Sequence, residues 1–262
     1  MIEENRTYYG FLSGNVLKIA ACALMFVDHL GMLVFPQIRI LRIIGRFSMP
    51  LFAFMFAEGC YYTKNKLRHF LLVFILGLCT STVASIAQGR VFGDILIAFS
   101  LSSVIIFALD AVKRNVASKD ARAIALSSAA LVAALGAAVV ICCFSGAHID
   151  YGIAGVMLPV TLHLIDFRGY GFGEILSSLY NHVTALLCFA IGLIALSLAL
   201  GGIQVYCIFT LIPLALYSGK RGRLKMKYFF YIFYPTHFIA IGAIYLILHP
   251  GYLDALLTSV FG

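Results

Sequence analysis

Apolar stretches broken by short polar, Gly-bearing or charged segments recur along almost the whole chain. A hydrocarbon core about 30 Å thick needs about 20 mainly apolar residues to be crossed as an α-helix. On that measure the pattern predicts spans over 15–35, 47–62, 69–87, 95–112, 123–144, 151–165, 183–200, 203–217 and 228–248. The tail 252–261 is apolar but too short to cross, so it is read as an interfacial segment or the end of a tenth, broken span. The expected fold is therefore all-α, a polytopic membrane helix bundle of about nine or ten transmembrane helices. It forms a single domain over 1–262, with no internal repeat.

Composition agrees with this pattern. The 262 residues are 62% hydrophobic and 11% charged, with a mean hydropathy of +1.00. A soluble domain carries about 25% charged residues, so an ordinary water-soluble enzyme is excluded and the lipid bilayer is the principal partner. Basic residues in short loops stay on the cytoplasmic side of a membrane. With a cytoplasmic N-terminus, one side collects Arg6, Lys64, Lys66, Arg68, Lys113, Arg114, Lys119, Arg122, Arg168 and the 220–227 loop KRGRLKMK. The other side holds only Arg39, Arg42, Arg46 and Arg90. This asymmetry supports a multi-pass membrane protein with a cytoplasmic N-terminus, and the expected location is the cell's inner membrane. It also makes the net charge of +8 a topology signal rather than a sign of nucleic-acid binding. The seven cysteines form no CxxC pair and have no His at zinc spacing, so no metal is expected.

Chemistry is then sought in polar groups inside the apolar runs, because an ionisable side chain there costs about 2.5–3.5 kcal/mol on insertion scales. The first run, NVLKIAACALMFVDHLG, holds Lys18, Asp28 and His29. At about 100° per residue, Asn15, Lys18, Cys22 and His29 share one helical face and form a polar lane. Asp28 points about 100° away from His29 and is expected to pair with a basic group on another helix, Arg46 being nearest in sequence. Alternatively, Lys18 snorkels to the interface. The second run, GRFSMPLFAFMFAEG, adds Arg46 and Glu58, with Pro50 expected to bend the helix; Glu58 is read as a substrate contact or a partner of Lys18. The last run, YFFYIFYPTHFIAIG, carries Tyr234 and His237 three residues apart, beside Pro235. His148, Asp150 and Tyr151 fall in an outer loop.

The segments LKIAACALMFVDHLG, LRIIGRFSMPLFAFMFAEG and FYPTHFIAI, with DILIAFSLSS and DYGIAGVMLPV between them, resemble the TraX family, named for the protein linked to N-acetylation of the F-pilus subunit. The likeness runs over most of the chain. The early His, the aromatic-rich Pro-Leu-Phe-x-Phe span and the late His are also similar to membrane acyltransferases more widely, including the acyltransferase-3 enzymes.

The resemblance implies acetyl transfer from cytoplasmic acetyl-CoA, a CoA thioester, to an amine or hydroxyl acceptor: a peptide or pilin N-terminus, a glycan or a small molecule. It leaves the acceptor open. It puts His29 at the reaction centre with Asp28 and Arg46, and makes Lys18, Glu58, Arg68, Tyr234 and His237 substrate or cofactor contacts. A general base with an unperturbed pKa of about 6.5 suits this chemistry, and a homodimer is compatible with it. The competing reading is a proton-coupled secondary transporter, which also places Asp, Glu and His inside helices; the lack of an inverted repeat weighs against it.

Overall fold

A computed structural model describes residues 8–223 and 226–251; Arg6, Lys225 and the 252–261 tail lie outside the described residues. In chain order the elements are α1 (Gly14–Leu33), α2 (Arg39–Gly45), α3 (Ser48–Tyr62), α4 (Lys66–Gln88), β1 (Phe92–Gly93), α5 (Ile95–Ser118) and α6 (Ala121–Cys143). They continue with β2 (His148–Ile149), α7 (Gly152–Leu164), α8 (Glu174–Ser178), α9 (His182–Leu200), a 3-10 helix over Gly202–Thr210, α10 (Leu211–Ala215) and α11 (Lys227–Leu248).

Most of the long helices start where a short polar side chain meets their first free N–H groups. Ser13, Asn65, Asp94, Asp120 and Asn181 each accept from a backbone N–H in the first turn of α1, α4, α5, α6 and α9. Such caps satisfy donors that the helix itself leaves unpaired. Thr184 closes a capping box with Asn181.

α3 is the hub. Its residues Leu51, Ala53 and Phe54 are buried, with α1, α5 and α7 packed around them. α9 lies behind α7, and α11 packs on α1. The α7–α9 contact depends on Gly192, where a Cβ would come 2.8 Å from Leu158 Cδ1 and 3.0 Å from Thr161 Cγ2. Small residues at such crossings let helices approach where no hydrophobic force drives them together in lipid. Outward-facing Ile86, Ile191 and Leu198 are exposed, as expected of a bundle whose solvent is hydrocarbon.

The span count is lower than the sequence implied. Among the described residues six helical stretches are long and apolar enough to cross a membrane: Gly14–Leu33, Arg39–Tyr62 (α2 and α3 taken together), Lys66–Ile86, Ile95–Ser118, Ala121–Cys143 and His182–Leu200. The expected count of nine or ten is not met. The runs at 151–165 and 203–217 give shorter apolar helices, Gly152–Leu164 and Gly202–Ala215, and the run at 228–248 lies in the 22-residue α11, whose apolar part among the described residues is Ile232–Leu248. For 151–165 the physical reason is reach: the 13 residues of α7 extend only about 20 Å at 1.5 Å per residue. Pro50 is the third residue of α3, inside the first turn, where a missing N–H costs little.

Two small pairings fix the ends of the bundle. Residues 10–15 run beside 216–221, with Gly10 N–H donating to Tyr217 O at 3.0 Å and Asn15 N–H to Arg221 O at 3.0 Å. This holds Lys220 and Arg221 over the start of α1. At the other end β1 pairs with β2 in parallel, Phe92 opposite His148 and Gly93 opposite Ile149.

Candidate active site

Near the C-terminal end of α1 the helix presents two adjacent residues to different partners. Asp28 faces α2 and the turn after it: Arg42 Nη1 donates to Asp28 Oδ2 at 2.8 Å, and Arg46 Nη2 reaches both carboxylate oxygens at 2.9 Å. Arg46 Nη1 also donates to Gln204 Oε1 at 3.3 Å. Gly45 makes this approach feasible, since a Cβ there would lie 2.3 Å from Asp28 Cβ. Asp150 and Tyr151 bring further charge and a phenol close to the same two guanidiniums.

His29 turns the other way, toward α11. Its Nδ1 lies 3.1 Å from His237 Nε2, and His237 Nδ1 lies 3.2 Å from the Phe233 carbonyl. A carbonyl only accepts, so a neutral His237 carries its proton on Nδ1 and offers Nε2 as an acceptor. His29 Nδ1 must then be the donor, which leaves the lone pair of His29 on Nε2. Burial follows the same order: His237 is 2% exposed whereas His29 is half-buried. Phe238 packs on both rings, with centroids at 4.7 Å and 4.1 Å. One turn back on α11, Tyr234 donates to Asp94 Oδ2 at 3.2 Å. Asp94 also takes a hydrogen bond from Thr80 and two from the start of α5. Burial raises the Asp94 carboxyl above the usual carboxylate range, against the pull of these donors.

The N-terminal end of α1 opens on a cavity of about 1170 Å³. Lys18, Arg168, Lys220 and Arg221 line it, with Glu58 at its wall. A second, mainly apolar cavity of about 210 Å³ shares Asn15, Lys18, Met55 and Arg221 with the first. It is lined onward by Cys22, Met25, Phe233 and Tyr234. Met25 and Tyr234 lie one helical turn before His29 and His237, so the wide polar vestibule adjoins a smaller apolar passage whose lining ends one turn short of the histidine pair, neither ring of which lines it.

A family model described as TraX protein matches residues 13–245. The chain belongs to the TraX family. The uncharacterized protein RP591 of Rickettsia prowazekii (strain Madrid E) is 38% identical over 81 residues, which is 31% of this chain and 31% of that protein. No solved structure matches. The match to the family model supports the TraX resemblance; the wider likeness to acyltransferase-3 enzymes is not supported by any comparison.

In this TraX-family chain the sequence-derived residues fall into two groups. Asp28, His29, Arg46 and His237 gather near the C-terminal end of α1, outside the lining of both cavities, and Lys18, Glu58 and Tyr234 line the cavities. Of the expected polar lane, Asn15, Lys18 and Cys22 line the passage wall and His29 does not. Arg68 does not join them: it is exposed, outside both cavities, and its backbone N–H bonds Asn65 Oδ1 in the cap of α4. Nor does Glu58 pair with Lys18. Tyr8 and Tyr180 donate to Glu58 Oε1 at 2.8 Å and 3.1 Å, while Lys18 lies 5.7 Å from the Phe230 ring centroid.

Arg42, Gln204, Tyr8, Tyr180 and Arg168 were not singled out as site contacts from sequence, and no local spacing could have found the last four. Arg42 was findable, one turn before Arg46 on the face that meets Asp28. Among the described residues no group of three or more His, Cys, Asp or Glu side chains is placed to hold a metal ion.

Proposed function

We propose that this protein is a membrane-embedded acetyltransferase that moves an acetyl group from acetyl-CoA to an amine or hydroxyl acceptor, with His29 as general base. The observation that carries the reading is the graded cavity, basic and wide at Lys18 and Arg221, smaller and mainly apolar at Cys22, Met25 and Tyr234, which ends one helical turn short of the histidine pair. Lys18 and Arg221 face the same space closely enough to repel one another, an arrangement that an anionic phosphate relieves. The apolar passage suits an acyl-bearing arm and excludes bulk water.

In the proposed step His29 Nε2 takes the proton from the acceptor N–H or O–H as that atom attacks the acetyl carbonyl carbon. The C–S bond then breaks, and the thiolate leaves with the proton returned from the imidazolium. General-base catalysis of this kind contributes about 10²–10⁴-fold. Arg42 and Arg46 act on His29 electrostatically and supply positive field for the oxyanion of the tetrahedral intermediate. His237 holds the His29 tautomer. The basic end faces the cytoplasm, where CoA thioesters are made, and the membrane is the inner one. Membership of a family linked to pilin acetylation makes a peptide amine one natural acceptor; glycans and small molecules remain open to the same chemistry.

The test is to incubate purified protein with isotope-labelled acetyl-CoA and membrane extract and identify the labelled product by mass spectrometry. Loss of transfer in His29→Ala, in protein that elutes and melts like the parent, supports the reading. Near-parental transfer by His29→Ala overturns the base assignment. Solute flux driven by a pH gradient, with no affinity for CoA, establishes a transporter instead.

A further inference from the structure

Glu58 has an unused acceptor. Tyr8 and Tyr180 both donate to its Oε1, and among the described residues no donor reaches the buried Oε2. The residue is 5% exposed, yet it forms part of the vestibule wall. A buried carboxylate oxygen without a donor is costly, and such an orphan signals a missing partner. With Glu58 ionised, as the neighbouring Arg168 charge favours, whatever fills the vestibule against Oε2 brings an N–H or O–H.

The surroundings narrow the choice. Tyr9 and Tyr62 are exposed rings lining the same cavity and offer π-faces to a flat heterocycle. Lys18, Lys220 and Arg221 gather at this mouth, where phosphates would be neutralised. A donor on a flat ring, stacking faces and clustered cations together describe an adenine nucleotide, whose exocyclic 6-amino group donates and whose phosphates are anionic.

Resting on the acetyl-CoA reading above, the structure assigns the vestibule as the subsite for the adenine nucleotide of the CoA thioester, with the adenine 6-amino group donating to Glu58 Oε2. The consequence is a base preference set by one oxygen. Replacing the 6-amino group with a 6-oxo group, as in hypoxanthine, sets an acceptor against an acceptor. Glu58→Gln changes the outcome in a defined direction. Because Tyr8 and Tyr180 require an acceptor at Oε1, the glutamine amide turns its NH₂ into the Oε2 position. There it donates to the 6-oxo group and faces a 6-amino group donor to donor.

The experiment is equilibrium binding of CoA and of its 6-oxo counterpart to the full-length protein in detergent, parent and Glu58→Gln side by side. The parent should prefer CoA by about tenfold, the scale of one hydrogen bond to a charged group. Glu58→Gln should prefer the 6-oxo ligand. Equal binding of the two ligands by the parent overturns the subsite without any variant being needed. An unchanged preference in a Glu58→Gln protein that elutes and melts like the parent does the same. CoA binding with no base discrimination removes this subsite and leaves the acetyltransferase reading standing; no binding of either ligand removes both.

Discussion

His237 Nε2 lies 3.1 Å from His29 Nδ1, joining α11 to α1 across 208 residues of sequence. The Phe233 carbonyl behind it sets the direction of both protons, which leaves the free lone pair on His29 Nε2, the atom proposed above as the base.

Replacing His237 should therefore affect the chemical step more than binding. His237→Phe removes the acceptor and frees the His29 tautomer, and kcat should fall by about tenfold or more, each tenfold being about 1.36 kcal/mol of barrier. KM for acetyl-CoA should stay close to the parent value. His237→Gln, which can still accept from His29 Nδ1–H, should recover part of kcat. The kcat-against-KM split and the pH–rate profile check this; equal loss in both variants would show that His237 only fills space.

Asp28 should matter for stability as well as activity. Its carboxylate, 11% exposed, neutralises Arg46, 12% exposed, and the less buried Arg42. Removing one partner of a buried pair costs about 3–5 kcal/mol, because a charge is left without compensation. Asp28→Ala should lower the melting temperature in detergent markedly, and Asp28→Ala with Arg46→Met should recover part of it. Gly45→Ala should weaken the protein through the same contact, since its methyl group occupies the space of Asp28 Cβ.

Asp150 gives a pH dependence of known sign. Burial outweighs the nearby Arg46 charge and pushes its carboxyl up to about 6, above an unfolded value of about 3.9. The native state therefore holds the proton more tightly than the unfolded chain. The stability from this group is fully present below about pH 4 and is lost as the pH rises through about 6. Melting curves from pH 4 to 8 should show this component in the parent and not in Asp150→Asn.

The long apolar runs were legible because lipid demands continuous hydrophobicity, and six of the spans fall where the sequence placed them. Two further runs fell short because hydropathy reports composition and not rise or break: 151–165 forms a 13-residue helix, and 203–217 becomes a 3-10 segment followed by a short helix rather than one crossing. The lane of Asn15, Lys18 and Cys22 was readable from helical period, and the Asp28–Arg46 pair from charge economy in an apolar setting. Gln204 and Tyr180 were not readable, because they meet Arg46 and Glu58 across 158 and 122 residues of sequence. Such meetings are decided by how helices pack, which no local spacing records.

The mouth of the cavity allows a prediction in which burial sets the size of the effect. Lys18 is half-buried at the start of the passage, whereas Arg221 is exposed. An exposed charge pair contributes about 0.2–1 kcal/mol, and a hydrogen bond to a charged group in a less solvated place about 1.5–3 kcal/mol. Lys18→Met should thus raise KM for acetyl-CoA by about tenfold or more, and Arg221→Gln by about two- to fivefold. In both, kcat should stay near the parent value, since neither group reaches the histidine pair. The Arg221 effect should shrink as salt is added, because only exposed charges are strongly screened. Acetyl-pantetheine, which lacks the phosphates, should be used equally well by parent and variants. Should KM rise as much for that truncated donor, Lys18 and Arg221 would be shaping the passage rather than holding phosphate.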